Sequence, residues 1–219
     1  MSQRILEVEG ILFDSDGVLV DSHDAAARAW NTWATTWSPG FDFHRDAQHG
    51  RRMADVVADL VGEPHAAHAA QLLGEMELEL GTQVPPMPGA VELLRSCPAG
   101  RWAVVTSGGR AMASARLVSA GLPAPGVLIS ADDVSAGKPA PDPYLAGARS
   151  LGLGPESCVV FEDAHLGVVS ARAAGVKYVV GVGSQPPGDD VDVRVADLRG
   201  ITFDGHRLSI PASVILAAS

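Results

Sequence analysis

The 219-residue chain is long enough for one large domain or one domain carrying an insertion, and 47% hydrophobic against 19% charged residues allow a sizeable core. A net charge of −10 argues against a nucleic-acid partner, because phosphate backbones attract basic faces; a small phosphorylated metabolite at a locally positive site is still compatible. Cys97 and Cys158 sit in apolar sequence and read as buried free thiols; with no signal-peptide pattern and no apolar run of spanning length, the expectation is a cytoplasmic monomer with no membrane partner.

In chain order, apolar runs of strand length occur at 11–13 (ILF), 102–105 (WAVV), 127–130 (VLIS), 158–161 (CVVF) and 178–182 (YVVGV). Helical patterns over 110–120, 143–151 and 164–174 stop at Gly121, Gly152 and Gly175, and Asp142–Pro143 supplies an N-cap followed by proline at the first helical position. Alternating strands and helices imply an α/β fold, a parallel sheet with helices on both faces. Between about 20 and 86 only helical signal appears. Ala26, Trp30, Trp33 and Trp37 form one stripe, Met53, Val56, Val57, Leu60 and Val61 a second, and Ala69, Leu73, Met76 and Leu80 a third. VPPMPG (84–89) reads as a stiff linker. The expected organisation is a core of 1–19 and 87–219 with a small all-helical domain, 20–86, inserted after the first strand. The tail at 201–210 reads as a hairpin around Asp204–Gly205.

Four strand ends carry chemistry. The first closes in FDSDGVLVDS (13–22), two carboxylates two apart and then glycine, where ligands of open parallel sheets bind. Taken alone, D-x-D-G fits an Asx-type turn better, and its glycine offset fits a calcium loop poorly. VVTSG (104–108) offers hydroxyls and backbone N–H groups at a helix start, an anion site or equally a cap. Lys138, between glycine and proline, is the only lysine in the first 176 residues; alone, it could equally be a surface charge. Glu162 and Asp163 end an apolar strand, which is costly unless they are paired or bound to metal.

Charge connects the four. A phosphate monoester approaching Asp14, Glu162 and Asp163 meets repulsion of roughly 4 kcal/mol per like pair about 4 Å apart at an effective dielectric near 20. Lys138 supplies one positive charge and a bound cation two; oxygen-only ligands favour Mg²⁺.

In order and spacing these segments resemble the haloacid dehalogenase superfamily over nearly the whole chain. Within it the sequence is most similar to phosphatases of glycerol phosphate, 2-deoxyglucose 6-phosphate and hexitol phosphates, sharing RAW (28–30), QHGRR (48–52), VPPMPGA (84–90) and WAVVTSG (102–108). The resemblance implies a helical cap over a Rossmann-like core and a sugar or polyol phosphatase. Asp14 would be nucleophile and metal ligand. Asp16 would be general acid and then base, its carbonyl also on the metal. Thr106, the N–H of Ser107, and Lys138 would hold the phosphoryl group, and Asp163 and Glu162 would complete a Mg²⁺ site. Ser15 departs from the usual apolar residue between the two aspartates. His49, Arg51 and Arg52 are candidate substrate contacts from the cap.

Other features carry less. The tryptophan stripe reads as packing inside the cap rather than a sugar platform. His44, His49, His65 and His68 fit no zinc spacing and read as exposed. Gly181, Gly183 and Ser184 suggest a dinucleotide loop, which Pro186 and Pro187 exclude. The alternative function is a sugar phosphomutase of the same fold; its cap histidine would fall at Ala26, with His23 three residues earlier. Hydrolytic dehalogenation would leave Asp16 and the acidic pair without use, and a catalytically dead binding module would leave the whole charged set without one.

Overall fold

Apolar runs without polar interruption need burial on both faces, and a parallel sheet covered by helices supplies it. The computed structural model describes residues 2–183, 188 and 190–217. After β1 (Arg4–Glu7), the strands β2 (Gly10–Phe13), β3 (Trp102–Val105), β4 (Leu128–Ile129), β5 (Cys158–Glu162), β6 (Tyr178–Val182) and β7 (Val193–Val195) form one parallel sheet in the order β4-β3-β2-β5-β6-β7. Every residue of β2, β3 and β5 is buried. The two-residue period of a strand divides their side chains between two cores. Ile11, Phe13, Trp102, Val104, Val159 and Phe161 face one; Leu12, Ala103, Val105 and Val160 face the other.

Helices connect the strands: α1 (His23–Trp37), α2 (Phe43–Asp46), α3 (Met53–Val61), α4 (Ala66–Leu80) and α5 (Ala90–Ser96) between β2 and β3, then α6 (Arg110–Ser119), α7 (Asp142–Ser150) and α8 (His165–Ala174). The last three stop just ahead of Gly121, Gly152 and Gly175. Asp142, expected as the N-cap of α7, lies inside it instead; Pro141 takes that position, and no side chain caps the helix. The strand expected at 127–130 narrows to two residues.

Helices α1 to α4 share a third apolar core built from Trp30, Trp33, Val56, Val57, Ala69 and Leu73. Trp33 Nε1 donates to the Ala69 carbonyl at 2.9 Å, so the stripe packs helix on helix. Leu80 departs from its expected burial and is 39% exposed, at the end of α4. The chain leaves the sheet for these helices and returns along one path: Met87 N donates to Leu19 O at 2.9 Å and Asp21 N to Pro85 O at 3.0 Å, with Val20 bridged to Pro86.

The tail forms the expected hairpin, β8 (Thr202–Phe203) and β9 (Arg207–Ile210), with Asp204 Oδ1 accepting from the N–H groups of His206 and Arg207 at 2.9 and 2.8 Å. It pairs with β1 in a separate antiparallel sheet, β1-β9-β8. Neither β1 nor β7 was expected. In β1 only Leu6 is buried, and β7 is three residues long with Arg194 at its centre. Cys97 and Cys158 are buried and unpaired. His44, His49, His65 and His68 are exposed. Ser184, Pro186 and Pro187, on which the dinucleotide reading turned, lie outside the described residues. Among the described residues no helix is long and apolar enough to cross a membrane.

Candidate active site

From β2 the chain steps outward to β3 and β4, then returns to lay β5, β6 and β7 on the opposite side. That reversal opens a crevice beyond the carboxyl ends of β2, β3 and β5, where open α/β sheets bind ligands. Phe13 lies opposite both Val104 and Phe161, so Asp14, Thr106 and Glu162 emerge from the sheet at nearly one level.

Lys138 Nζ reaches Asp14 Oδ1 and Glu162 Oε1, each at 2.6 Å, with its own side chain 1% exposed. Tyr144 donates to Glu162 Oε1 at 2.7 Å and the Ala164 N–H to Oε2 at 3.1 Å. Burial raises the Asp14 carboxyl to about 7 even with Lys138 beside it. Burial pushes the Asp163 carboxyl well up, and the charges of Asp14 and Glu162 add to that. Burial works to lower the Lys138 ammonium, but Asp14 and Glu162 outweigh it and hold its pKa above the ordinary value. One oxygen each of Asp14, Glu162 and Asp163 lie within 4.8 Å of one another. Three crowded carboxylates against one lysine, all with oxygen donors, suit a hard divalent cation.

The turn after Asp14 is tight. Ser15 O accepts from Leu19 N at 2.8 Å and Val20 N at 3.0 Å. Gly17 has φ 78°, and a Cβ there would overlap the Asp163 carboxylate; the D-x-D-G glycine is therefore required twice over. Ser15 is fully buried, and its Oγ has no hydrogen-bond partner among the described residues, a cost of about 1–3 kcal/mol that an apolar side chain avoids. Asp16 turns toward the helices, its Oδ1 accepting from Ser22 Oγ at 2.5 Å and Arg116 Nη1 at 2.7 Å.

Thr106 is buried, its Oγ1 accepting from Gly108 N at 3.0 Å. Ser107 Oγ donates to Gly50 O at 2.6 Å, and Arg52 Nη1 to Ser135 O at 3.1 Å; the helical insertion thus rests on the loops of the sheet across the cleft. His49 and Arg51 line that cleft along with Asp14, Asp16, Thr106 and Asp163. Arg51 is also held by Asp59 at 2.8 Å. Arg52 lies outside the lining and pairs with Asp55 at 2.7 Å. The His49 ring is 5.0 Å from that of His23 and 5.3 Å from that of Phe43, and burial lowers its pKa.

Residues 8–175 match the model of a family described as haloacid dehalogenase-like hydrolase. The chain belongs to that family. Hexitol phosphatase A of Escherichia coli (strain K12) is 40% identical to it over 205 residues, 90% of this chain and 94% of that one. Glycerol-1-phosphate phosphohydrolase 2 of Saccharomyces cerevisiae is 35% identical over 187 residues, 80% of this chain and 74% of that one. A solved β-phosphoglucomutase from Clostridium difficile superposes with a TM-score of 0.79, covering 90% of this chain and 94% of that one; at 20% identity this shows the fold alone.

Some of this hydrolase's site was not anticipated. Arg116 is 5% exposed and binds Asp16; it lies on the apolar face of α6 with Met112, Ala113 and Leu117, and helical periodicity alone would have flagged an arginine there. Tyr144, fully buried against Glu162, and Glu77, which accepts from Trp30 Nε1 at 3.1 Å, gave no such signal. His23, noted three residues before the position of the mutase histidine, lines the cleft with Nε2 3.5 Å from Asp163.

Proposed function

We propose that this protein is a magnesium-dependent phosphatase that hydrolyses small sugar or polyol phosphate monoesters through an aspartyl-phosphate on Asp14. The observation that carries this reading is Lys138 bridging Asp14 and Glu162 at 2.6 Å each, beside Asp163, at the mouth of a buried parallel sheet. The names of the hexitol and glycerol-phosphate relatives support the substrate class. The proposed division is a core of 1–19 and 87–219 and a cap of 20–86, supported by the paired connecting segments. The buried, unpaired thiols suit a cytoplasmic setting.

Asp14 attacks phosphorus while Thr106 Oγ1, the Ser107 N–H and Lys138 receive the equatorial oxygens. Asp16 protonates the departing alkoxide, then takes a proton from the water that cleaves the aspartyl-phosphate. Asp14, the Asp16 carbonyl, Glu162 and Asp163 would hold Mg²⁺, which supplies positive charge beside the phosphoryl group when bound. His49 and Arg51 approach the substrate from the cap. At position 26 a methyl group lines the cleft, and His23 is turned to Asp163, so water rather than a second sugar hydroxyl accepts the phosphoryl group.

Phosphate release measured across hexitol, glycerol, sugar and nucleotide monoesters tests this. Activity should concentrate on the polyol and sugar esters, vanish in chelator, and return with Mg²⁺ but not with the larger, differently coordinated Ca²⁺. Full activity in chelator overturns the metal assignment. If β-glucose 1-phosphate with a catalytic bisphosphate primer yields glucose 6-phosphate faster than inorganic phosphate, the enzyme is a mutase.

Asp16→Asn should reduce kcat on an alkyl phosphate by roughly 10²- to 10⁴-fold, and far less on p-nitrophenyl phosphate, whose leaving group needs little protonation. Equal losses on both would remove Asp16 as the acid.

A further inference from the structure

The cleft has a polar wall that phosphoryl transfer leaves unused. On the core side, Arg116 Nε donates to Gly81 O at 2.9 Å and Nη1 to Asp16, while Nη2 is buried with no hydrogen-bond partner among the described residues. On the cap side, Glu77 Oε1 accepts from Trp30 and lies 4.0 Å from that Nη2, too far for a hydrogen bond. Glu77 Oε2 makes no hydrogen bond among the described residues. Both side chains line the cleft, Arg116 6% and Glu77 14% exposed.

This arrangement is costly to keep. Burial raises the Glu77 carboxyl, with Arg116 pulling it back. A buried ion pair is weak evidence of stabilisation, and an orphaned guanidinium nitrogen weaker still. The chain nevertheless makes room for it. A Cβ at Gly81 would stand 2.7 Å from Glu77 O and 3.1 Å from Arg116 Nη2, so α4 ends on a residue small enough to leave the guanidinium its seat.

We propose that Glu77 is the specificity-determining acceptor for a substrate hydroxyl one or two carbons from the phosphoester, with Arg116 as the positioning residue that holds Glu77 and Asp16 in one frame. The spacing suits this. Asp16 to ester oxygen, ester oxygen to neighbouring hydroxyl, and hydroxyl to Glu77 are three oxygen–oxygen steps of about 2.8 Å, or about 8 Å in all. The guanidinium of Arg116 stands between the two carboxylates, 2.7 Å from Asp16 Oδ1 and 4.0 Å from Glu77 Oε1. A site that hydrogen-bonds a hydroxyl rejects an analogue lacking it far more strongly than a hydrophobic pocket rejects a missing methylene. The proposal deepens the phosphatase reading and rests on it.

The test compares kcat/KM for glycerol 1-phosphate and n-propyl phosphate, which lacks both hydroxyls. The wild-type enzyme should prefer the glycerol ester by about 10²-fold or more. Glu77→Met, similar in length but without an acceptor, should bring that ratio near one. Glu77→Gln keeps an acceptor for Trp30 and the packing, and should give an intermediate ratio even if the Met variant folds poorly. Arg116→Lys keeps the charge but not the two-nitrogen span, and should lower the same ratio, a quantity that lost stability alone does not move. A wild-type ratio near one, or variants that keep the wild-type ratio while still releasing phosphate, overturns the assignment and leaves the phosphatase reading standing. Failure of the wild-type protein to release phosphate from any ester overturns both.

Discussion

Asp14→Asn is expected to reduce phosphate release by roughly 10⁴-fold or more, the scale of losing a covalent nucleophile. An amide nitrogen or oxygen attacks phosphorus poorly and binds a hard cation weakly. Stability should change little or rise. Burial holds the Asp14 carboxyl up at about 7, so the folded state strains to keep it charged, and a neutral isostere relieves that. Lys138 keeps Glu162 as its partner. The checks are phosphate release by rigorously purified protein and circular dichroism through a thermal melt. A wild-type spectrum with appreciable residual turnover would remove the covalent mechanism.

Lys138→Met should damage both fold and activity. It leaves Asp14 and Glu162 buried without their shared cation, a loss of about 3–5 kcal/mol for a broken buried pair. The sign of its pH dependence follows from Asp14. A folded-state pKa above the unfolded value of 3.8 contributes stability that is fully present below 3.8 and lost as pH rises through the folded pKa. Without Lys138 one influence that lowers that pKa is gone. The melting temperature of the metal-free variant should therefore keep falling above about pH 7, where the wild-type contribution from Asp14 levels off. A flat profile would mean that these carboxylates are not the burden described. Activity should fall as well, because the proposed phosphoryl site loses the cation of Lys138.

The strand ends are legible in the sequence because each apolar run is short and continuous, and the residue just past it is the polar one. Asp14, Thr106 and Glu162 therefore stand where the pattern changes, and parallel register brings them level. The helical insertion is legible from three stripes that meet in one core. What stays hidden is set by contacts distant in sequence. The Asp16–Arg116 pair joins residues 100 apart, and the Trp30–Glu77 hydrogen bond joins residues 47 apart. No local period reports on such pairs. β1 escapes notice because it is stabilised by β9, 200 residues away, rather than by any pattern of its own. Asp142 is a local failure: Pro141 ahead of it already has helical backbone angles, so the helix begins one residue early.

The two connecting segments lie side by side, with Val20 bridged to Pro86 and Met87 N bonded to Leu19 O at 2.9 Å. A polypeptide with adjacent ends can be excised or exchanged for another of different length without moving either attachment point. The proposed phosphoryl chemistry is anchored to the sheet, whereas His49, Arg51 and Glu77 reach the cleft from the far side of that junction. Evolution can thus rewrite which alcohol is released while inheriting the bond-breaking apparatus whole. A chimera joined at these two positions would carry its donor's taste in substrates onto a borrowed engine.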